Sequence, residues 1–501
     1  MTNLYDLYQD RFQSGTDFIL SPDNKVLASY EDLDCKSAQY ANCLIDLGLS
    51  RGDRVIVQVE KTIECLYLYF ACLRAGLIYL PLNTAYQKHE FEYFINDATP
   101  ELIICSPDNE ELYKSLSTGK STSKIFTLDE SSTGSLSKNC EGLPTLFQSA
   151  QCDASDIAAI LYTSGTTGRP KGAMISHGNL IENSLALHKA WGWVPGDIML
   201  HALPIFHIHG LFVATHLAVL NASPIIFLKN FAADEVIRLL PSATVYMGVP
   251  TNYTRLLANS DLNQAACQNM RLFTAGSAPL LPQTFAEFES RTGHTIVERY
   301  GMTETGMNTS NPLEGIRKAG TVGPPLPDVS CKVVDNKGTE VGTGKTGNLL
   351  VKGGNVFKGY WQMPEKTKEE FTEDGYFKTG DLASCDEDGY ISIVGRNKDM
   401  IITGGLNVYP REIEECIDKL DGVQESAVIG LSDDDFGEAV TAIVVLTKDS
   451  NLDAQSITAY LKDTVANFKV ARKVYFLDEL PRNTMGKVQK NLLREMYKPE
   501  P

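Results

Sequence analysis

Apolar residues along the first third of the chain alternate between helical and strand-like spacing. Lys36–Leu47 and Ile63–Ala75 carry apolar side chains at helical intervals, whereas Arg54–Glu60 and Glu101–Cys105 are short strand-like runs. Helices that alternate with short buried strands are typical of a parallel sheet covered by helices. The pattern predicts an α/β architecture, with the Ser- and Lys-rich stretch 114–139 as a surface connection.

The pattern changes in the second half of the chain. The alternation of helices and strands resumes at 156 and runs to about 325, but over 329–394 short β-rich runs are separated by Gly and Asp turns. These runs predict an antiparallel β subdomain. We therefore expect an α/β fold: a large N-terminal domain of stacked α/β subdomains plus a β subdomain over 1–397. A small mobile C-terminal α+β domain is expected over 398–501.

Composition and charge restrict the function classes. The 501 residues are 43% hydrophobic and 22% charged, as in globular proteins, and the net charge of -18 argues against nonspecific nucleic-acid binding. The 11 cysteines form no CxxC pair, which indicates a reducing compartment. Residues 1–6 do not read as a targeting segment, and no apolar run reaches the ~18 residues of a membrane span. We expect a cytoplasmic protein, monomeric or weakly homo-oligomeric, that acts on small molecules without a membrane partner.

The strongest chemical signal is a loop that directly follows the apolar strand 158–161. Its glycines let backbone N–H groups approach an anion closely, its hydroxyls add donors, and Lys171 adds a positive charge. These properties indicate a polyphosphate cradle. A flexible Ser/Gly linker is the alternative, but it does not account for the buried strand or the lysine. The predicted cradle residues are Thr163, Ser164, Gly165, Thr166, Thr167, Gly168 and Lys171.

Further motifs follow the loop in a definite order. They are Gly276-Ser277-Ala278-Pro279, Tyr300-Gly301-Met302-Thr303-Glu304, Thr379-Gly380-Asp381, Gly395-Arg396-Asn397-Lys398-Asp399, the stretch that begins Gly404-Gly405, and Pro481-Arg482-Asn483-Thr484-Met485-Gly486-Lys487. With the loop, this set resembles the acyl-adenylate-forming superfamily, which includes acyl-CoA synthetases, luciferases and the adenylation domains of peptide synthetases. The resemblance covers nearly the whole chain. It implies that ATP and coenzyme A are substrates and that Mg²⁺ is a cofactor.

The resemblance implies how the motifs bind the nucleotide. The turn formed by Gly276, Ser277, Ala278 and Pro279 contacts adenine. Tyr300, followed by Gly301, stacks on the base. Asp381 accepts hydrogen bonds from both ribose hydroxyls, and Arg396 is a fixed cation near the ribose and phosphate.

The resemblance also assigns the reacting groups. Glu304 anchors Mg²⁺, with the Thr303 hydroxyl as a second oxygen. Lys487 bridges the carboxylate and the α-phosphate while the mixed anhydride forms. The small domain then rotates about Lys398, which withdraws Lys487 and brings Gly404-Gly405 near a pantetheine tunnel.

A His-rich segment and one arginine indicate the acid. His207 and His209 lie where superfamily members line the acyl pocket, and no Asp is present there to hold an α-ammonium group. The segment 298–304 resembles malonyl-CoA synthetases, and its Arg299 suits the second charge of a dicarboxylate because Arg binds carboxylates bidentately. His207 is also a candidate catalytic donor. The predicted substrate residues are Arg299, His207, His209, Met302 and Met307.

These assignments have structural alternatives. Arg299 could instead form a structural pair with Glu298 or another acid, and Arg317 and Lys318 are rival cations for the pocket. A zinc site at His207 and His209 is rejected because no third ligand is identifiable by spacing.

Three functions follow from the residues. The first is an ATP-dependent malonate:CoA ligase that works through malonyl-AMP, with methylmalonate left open as a further substrate. The second is a ligase for another short or aromatic acid. This interpretation is favoured if Arg299 points away from the pocket. The third is an adenylate-binding protein without turnover, against which the presence of Lys487, Glu304, Asp381 and Lys171 argues.

Overall fold

Four sheets organise the chain in a computed structural model. The structure describes residues 3–116, 123–129, 131, 133–164, 170–403, 406–433, 436–483 and 486–498. The predicted cradle residues Gly165, Thr166, Thr167 and Gly168, the side chain of Ser164, and the pair Gly404-Gly405 lie outside these described parts.

An eight-stranded sheet carries most of the predicted nucleotide and acid motifs. Its six central strands are parallel, and an antiparallel strand closes each edge. Because the carboxyl ends of parallel strands meet at one edge, His201, Gly276 and Tyr300 collect there. The strands in spatial order are Gly306–Ser310, Val297–Met302, Leu272–Ala275, Val245–Gly248, Met199–His201, Ile225–Phe227, Asp17–Leu20 and Val26–Ser29.

A six-stranded sheet carries the start of the predicted phosphate loop. Five strands are parallel, and the last pairs antiparallel so that Thr163 lies opposite Lys171. The prediction of a plain surface connection over 114–139 is wrong, since this stretch supplies an edge strand and a helix. The edge strand has four residues and pairs with a neighbour on one side. So short a strand gives no recognisable alternation of apolar and polar residues among the flanking Ser and Lys. The strands are Lys124–Thr127, Leu102–Cys105, Arg54–Gln58, Ile78–Pro81, Ile157–Ser164 and Pro170–Ser176.

Helices cover these two sheets. Ile63–Ala75 begins at the Thr62 cap, ends at Gly76 in a left-handed conformation with φ of 67°, and is buried from Cys65 onward. A helix that is apolar on all sides belongs in the core. The other helices are Leu4–Gln9, Tyr30–Asp46, Lys88–Ala98, Glu110–Leu116, Ser135–Cys140, His177–Ala190, the π-helix His209–Thr215, His216–Leu220, Ala233–Leu239, Pro250–Leu257, Pro282–Thr292 and Pro364–Glu369.

The predicted antiparallel β subdomain is confirmed as a four-stranded sheet. Its strands are Val329–Val334, Gly347–Gly353, Phe377–Cys385 and Ile391–Arg396. Asp381 and Arg396 occupy paired positions on the last two strands, so the sheet register itself brings these two charged residues together.

The remaining elements build the small C-terminal domain, and with it the predicted α/β fold class is confirmed. A five-stranded sheet packs with three helices around apolar clusters drawn from residues after 400. The position of the domain boundary at 397 stays a prediction. The strands are Leu406–Val408, Ile401–Thr403, Gly437–Leu446, Val423–Asp433 and Lys473–Phe476, and the helices are Pro410–Ile417, Ala454–Thr464 and Lys490–Met496.

Candidate active site

The turn of a tight hairpin holds the predicted magnesium carboxylate. Strands Val297–Met302 and Gly306–Ser310 cross closely, and a Cβ on Gly301 would lie 2.1 Å from the Gly306 carbonyl oxygen. Only glycine fits that crossing. Thr303 and Glu304 follow in the turn, and the Glu304 carboxylate is 6% exposed.

Glu304 joins the hairpin to the strand that leads into the predicted phosphate loop and to a tyrosine. Its Oε1 accepts hydrogen bonds from the Tyr360 hydroxyl at 3.0 Å and from Thr163 Oγ1 at 3.3 Å. The Lys171 ammonium lies 4.0 Å from the Tyr360 ring centroid and 3.6 Å from Glu370 Oε1. The structure therefore brings Thr163, Lys171 and Glu304 to one place, around an aromatic ring.

Asp381, the predicted ribose-binding residue, forms a group with two other side chains. Asp381 accepts from the Tyr300 hydroxyl at 2.5 Å through Oδ2 and from Arg396 Nε at 2.8 Å through Oδ1. The neighbouring Asp381 raises the pKa of Arg396, and burial, reinforced by Asp381, raises the pKa of Tyr300. Each carboxylate oxygen keeps a further acceptor site, so the group can still receive the hydroxyls of a ribose.

The predicted adenine turn has an unusual backbone. Ser277 has φ of 74°, which a residue with a side chain rarely adopts, and strain of this kind concentrates at functional turns. A Cβ on Gly276 would lie 2.5 Å from Cζ of Arg299. Ala278 and Pro279 complete the turn, and Pro279 is exposed. The predicted base-binding turn and the predicted acid-binding arginine are therefore in direct contact.

Lys487 reaches this site from the small domain. Its backbone N–H donates to Asn483 Oδ1 at 2.9 Å, and its carbonyl accepts from the Asn483 N–H at 2.9 Å. The preceding Gly486 has φ of 73°, and a Cβ there would lie 2.8 Å from Thr251 Oγ1 of the large domain. Desolvation and then repulsion from Arg396 lower the pKa of Lys487 to about 8. Lys487 is therefore close enough to Arg396 and Asp381 for their charges to act on it, and it is exposed to solvent.

Arg299 is buried without a counter-charge. It is 2% exposed, and within the described residues its Nε and Nη2 have no hydrogen-bond partner. Desolvation lowers its pKa to about 9. Glu298, the alternative partner, points to the other face of the strand, where its Oε1 accepts from the Leu280 N–H at 3.1 Å. Burial raises the pKa of Glu298 to about 7.

Two neutral histidines lie beside Arg299. His209 is fully buried, and both of its ring nitrogens are without a partner in the described part of the chain. His207 Nδ1 accepts from the His209 N–H at 3.2 Å. Burial and then Arg299 lower the pKa of both rings, that of His207 to about 4. The pocket therefore offers two guanidinium nitrogens of Arg299 and both ring nitrogens of His209 without partners among the described residues, beside the uncharged ring of His207.

The rival cations are occupied elsewhere. Arg317 donates to the carbonyls of Pro312, Thr295 and Leu313, and Lys318 pairs with two surface aspartates, Asp386 and Asp388. Neither competes with Arg299 for a substrate in this pocket.

Other predicted residues lie around the site without special chemistry. Met307 is buried, and its Cε would lie 2.7 Å from a Cβ on Gly301, while Met302 Sδ is 3.9 Å from the Tyr300 hydroxyl. Lys398 lies in the short turn Asn397–Asp399 between the four-stranded sheet and the small domain. Sequence reasoning missed Tyr360 and Glu370, which lie outside every motif and carry no local signal, and it gave Thr251 no role.

No helix in the described parts of the chain is long and apolar enough to cross a membrane.

Among the described residues there is no group of three His, Cys, Asp or Glu side chains that could hold a metal ion. A Mg²⁺ ion here would bind Glu304 and Thr303 together with phosphate and water oxygens. One carboxylate plus substrate phosphates is a common Mg²⁺ environment, so these residues fit the ion.

Comparison with known proteins finds matching family models and similar ligases. The AMP-binding enzyme family matches residues 13–361, and the AMP-binding enzyme C-terminal domain matches residues 412–487. A malonate–CoA ligase from Arabidopsis thaliana is 35% identical over 481 residues, which cover 89% of this chain and 78% of that protein. A feruloyl-CoA synthase from Amycolatopsis is 32% identical over 473 residues, which cover 94% of each chain.

Solved structures include a more similar protein. ATP-bound MatB from Rhodopseudomonas palustris is 50% identical and superposes with a TM-score of 0.97 over 99% of each chain. Apo MatB, at the same identity and coverage, superposes with a TM-score of 0.86. The arrangement seen here is therefore closer to the ATP-bound form than to the apo form.

Proposed function

We propose that the chain, which belongs to the AMP-binding enzyme family and is an AMP-forming acid:CoA ligase, acts on malonate and forms malonyl-CoA through malonyl-AMP. One observation carries the choice of acid: Arg299 is buried without a counter-charge beside His209, whose ring nitrogens also have no partner among the described residues. The similarity to a malonate–CoA ligase and to MatB supports the same choice.

The unpaired charge explains why a dicarboxylate fits. Leaving a buried charge without its partner costs about 3–5 kcal/mol, and a bidentate carboxylate recovers much of that cost. Malonate presents one carboxylate to Arg299 and keeps the other for the phosphate. Acetate leaves the guanidinium unpaired, so malonate should be favoured over acetate by about 10²–10³-fold.

The first half-reaction joins two anions, and the residues of the site lower their repulsion. Lys171 and the loop that begins at Thr163 hold the polyphosphate of ATP, and Asp381 fixes the ribose. Lys487 donates to both the reacting carboxylate and the α-phosphate, which orients the oxygen for attack as pyrophosphate leaves. A Mg²⁺ ion on Glu304 and Thr303 would neutralise phosphate charge when bound.

The second half-reaction uses the same adenylate in a rearranged site. Rotation of the small domain about Lys398 withdraws Lys487 and brings the Gly404-Gly405 segment toward the acyl group. The thiol of coenzyme A then attacks the acyl carbon and loses its proton to solvent; the C–S bond of the thioester forms as the C–O bond to AMP breaks, and AMP leaves with the bonding electrons. His207 is a candidate donor to the acyl group in this pocket.

A second candidate is a ligase for another short or aromatic acid, favoured by the similarity to a feruloyl-CoA synthase. Methylmalonate is a further candidate, because it offers the same second carboxylate. An adenylate-binding protein without turnover is disfavoured by the presence of Lys487 beside Arg396 and Asp381.

The test is coenzyme-A-dependent AMP release by the purified protein with ATP and Mg²⁺. The acids are acetate, malonate, methylmalonate, succinate, octanoate and benzoate, and the thioester product is identified by mass spectrometry. The proposal requires the highest kcat/KM with malonate. A higher kcat/KM with a monocarboxylate would overturn the choice of acid, and absence of ATP–pyrophosphate exchange with every acid would overturn the ligase function.

A further inference from the structure

Lys61 joins the two large sheets next to the acyl pocket. It follows strand Arg54–Gln58 of the six-stranded sheet, and its Nζ donates to the His201 carbonyl at 3.0 Å and to the Leu228 carbonyl at 2.6 Å. Both acceptors stand at strand ends of the eight-stranded sheet. The Phe227 ring lies 4.3 Å from the ammonium. Within the described residues none of these hydrogen bonds goes to a carboxylate, so the ammonium is held by carbonyls and an aromatic face.

The third hydrogen bond of Lys61 continues through a histidine. Lys61 Nζ lies 2.9 Å from His201 Nδ1, and His201 Nε2 lies 2.9 Å from the Gly210 carbonyl oxygen. The Gly210 carbonyl can only accept, so His201 Nε2 carries the proton and Nδ1 accepts from Lys61. Burial and then Lys61 lower the pKa of His201 well below its ordinary value, so the ring stays neutral. This arrangement fixes the tautomer of His201.

Gly210 is the second residue of the π-helix His209–Thr215. Its carbonyl also accepts from Thr215 Oγ1 at 3.0 Å, and a Cβ on Gly210 would lie 2.1 Å from the Pro204 carbonyl oxygen. A π-helix is rare and is often found at functional sites. The residue just before Gly210 is His209, a buried histidine whose pKa is lowered by desolvation and then by Arg299. The hydrogen bonds from Lys61 through His201 to Gly210 therefore end at the residue next to His209 in the π-helix.

We propose that Lys61 is a positioning residue for the acyl pocket. Through His201 and the Gly210 carbonyl it holds His209 in place beside Arg299. It thereby sets the KM for the acid without changing the KM for ATP. The inference rests on the proposed function only in taking the Arg299 pocket as the acid site. A purely structural role as a tie between the two sheets would change stability and affect both substrates alike.

The experiment compares Lys61→Met, His201→Gln and the double variant, with Lys229→Met as the matched control. Lys229 is the neighbouring lysine that lies 4.0 Å from Glu60, and its side chain is 44% exposed. Methionine keeps the length of Lys61 but donates nothing. Glutamine at 201 can still donate to Gly210 but does not reproduce the ring acceptor for Lys61. The KM for the acid and for ATP are measured by ATP–pyrophosphate exchange, and folding is checked by thermal unfolding.

Lys61→Met and His201→Gln are each expected to raise the KM for the acid about ten- to fiftyfold. The KM for ATP should stay within about twofold of wild type. The double variant should lose no more than the worse single variant, since both interrupt one chain of hydrogen bonds. Lys229→Met should match wild type.

Three outcomes would overturn the inference. They are an unchanged KM for the acid in Lys61→Met, an equal rise in both KM values, and an equal effect of Lys229→Met. The measurement uses whichever acid the wild-type protein prefers. If malonate proves to be the wrong acid, Lys61→Met still reports on the positioning role, so the two failures can be told apart. Should Lys61→Met not fold, His201→Gln, which keeps the donor to Gly210, gives the same KM comparison.

Discussion

Arg299→Met is expected to make the protein more stable and at the same time unable to use malonate well. Methionine has a similar length, is apolar, and places no charge in a pocket where Arg299 has no partner among the described residues. Burial lowers the Arg299 pKa from its ordinary value to about 9, which corresponds to a cost of roughly 5 kcal/mol for holding the charge there. Methionine does not replace all the packing contacts of the arginine, and this loss offsets part of the gain from removing the charge. We therefore expect Arg299→Met to increase the free energy of unfolding by about 2–4 kcal/mol.

The pH dependence of this gain has a defined sign. Below about pH 9 the guanidinium is protonated in both the folded and the unfolded chain, so the full cost is present at neutral pH. As pH rises above 9 the folded protein can release the proton, and the advantage of Arg299→Met shrinks.

The assay is urea unfolding of wild type and Arg299→Met at pH 7.5, with and without malonate. Malonate at 100 times its Kd should stabilise wild type by about 2.7 kcal/mol and should leave Arg299→Met unchanged. Lys318→Met is the matched control, because that lysine pairs with Asp386 and Asp388 away from the pocket. A variant less stable than wild type would show that Arg299 has a structural partner, and the reasoning from its unpaired charge would be refuted.

Three further predictions follow from the nucleotide site and Lys487. Gly486→Ala should lower the rate of ATP–pyrophosphate exchange about tenfold, because alanine is strained at φ of 73° and contacts Thr251. Thr251→Ala in the same chain should recover part of the loss, and an unchanged rate in the single variant would contradict the docking. Asp381→Asn should raise the KM for ATP at least about tenfold with little effect on the KM for malonate, measured by AMP release. An equal rise in both would contradict the ribose role. The kcat/KM for adenylation should fall as pH rises through about 8, where Lys487 loses its charge, while Lys487→Arg should show no such fall.

The sequence was sufficient for most of the order of elements and for motifs that the structure brings together in one site. Alternation of helices and strands predicted the α/β layers, because burial on both faces gives strands such as Leu102–Cys105 continuous apolar runs. The motifs around Tyr300, Asp381 and Arg396 converge in space, since they lie at strand ends and in paired register positions of the sheets.

The sequence did not predict the contacts that are made by residues outside the motifs. Tyr360 meets both Glu304 and Lys171, yet nothing in its local sequence indicates an active-site ring. The side to which Arg299 turns, and the separate environment of Glu298, depend on strand alternation and on the packing of neighbouring elements. Lys61 would be taken for a surface lysine, because its partners are 140 residues or more away in the chain.

The central claim is that Arg299 selects a second carboxylate. The most direct measurement is the ratio of kcat/KM for malonate to that for acetate, in wild type and in Arg299→Ala, with Lys318→Ala as the control. We predict a wild-type ratio of about 10²–10³ that falls toward unity in Arg299→Ala and is unchanged in the control. If Arg299→Ala keeps the wild-type ratio, the guanidinium does not bind malonate, and the choice of acid must rest on other residues.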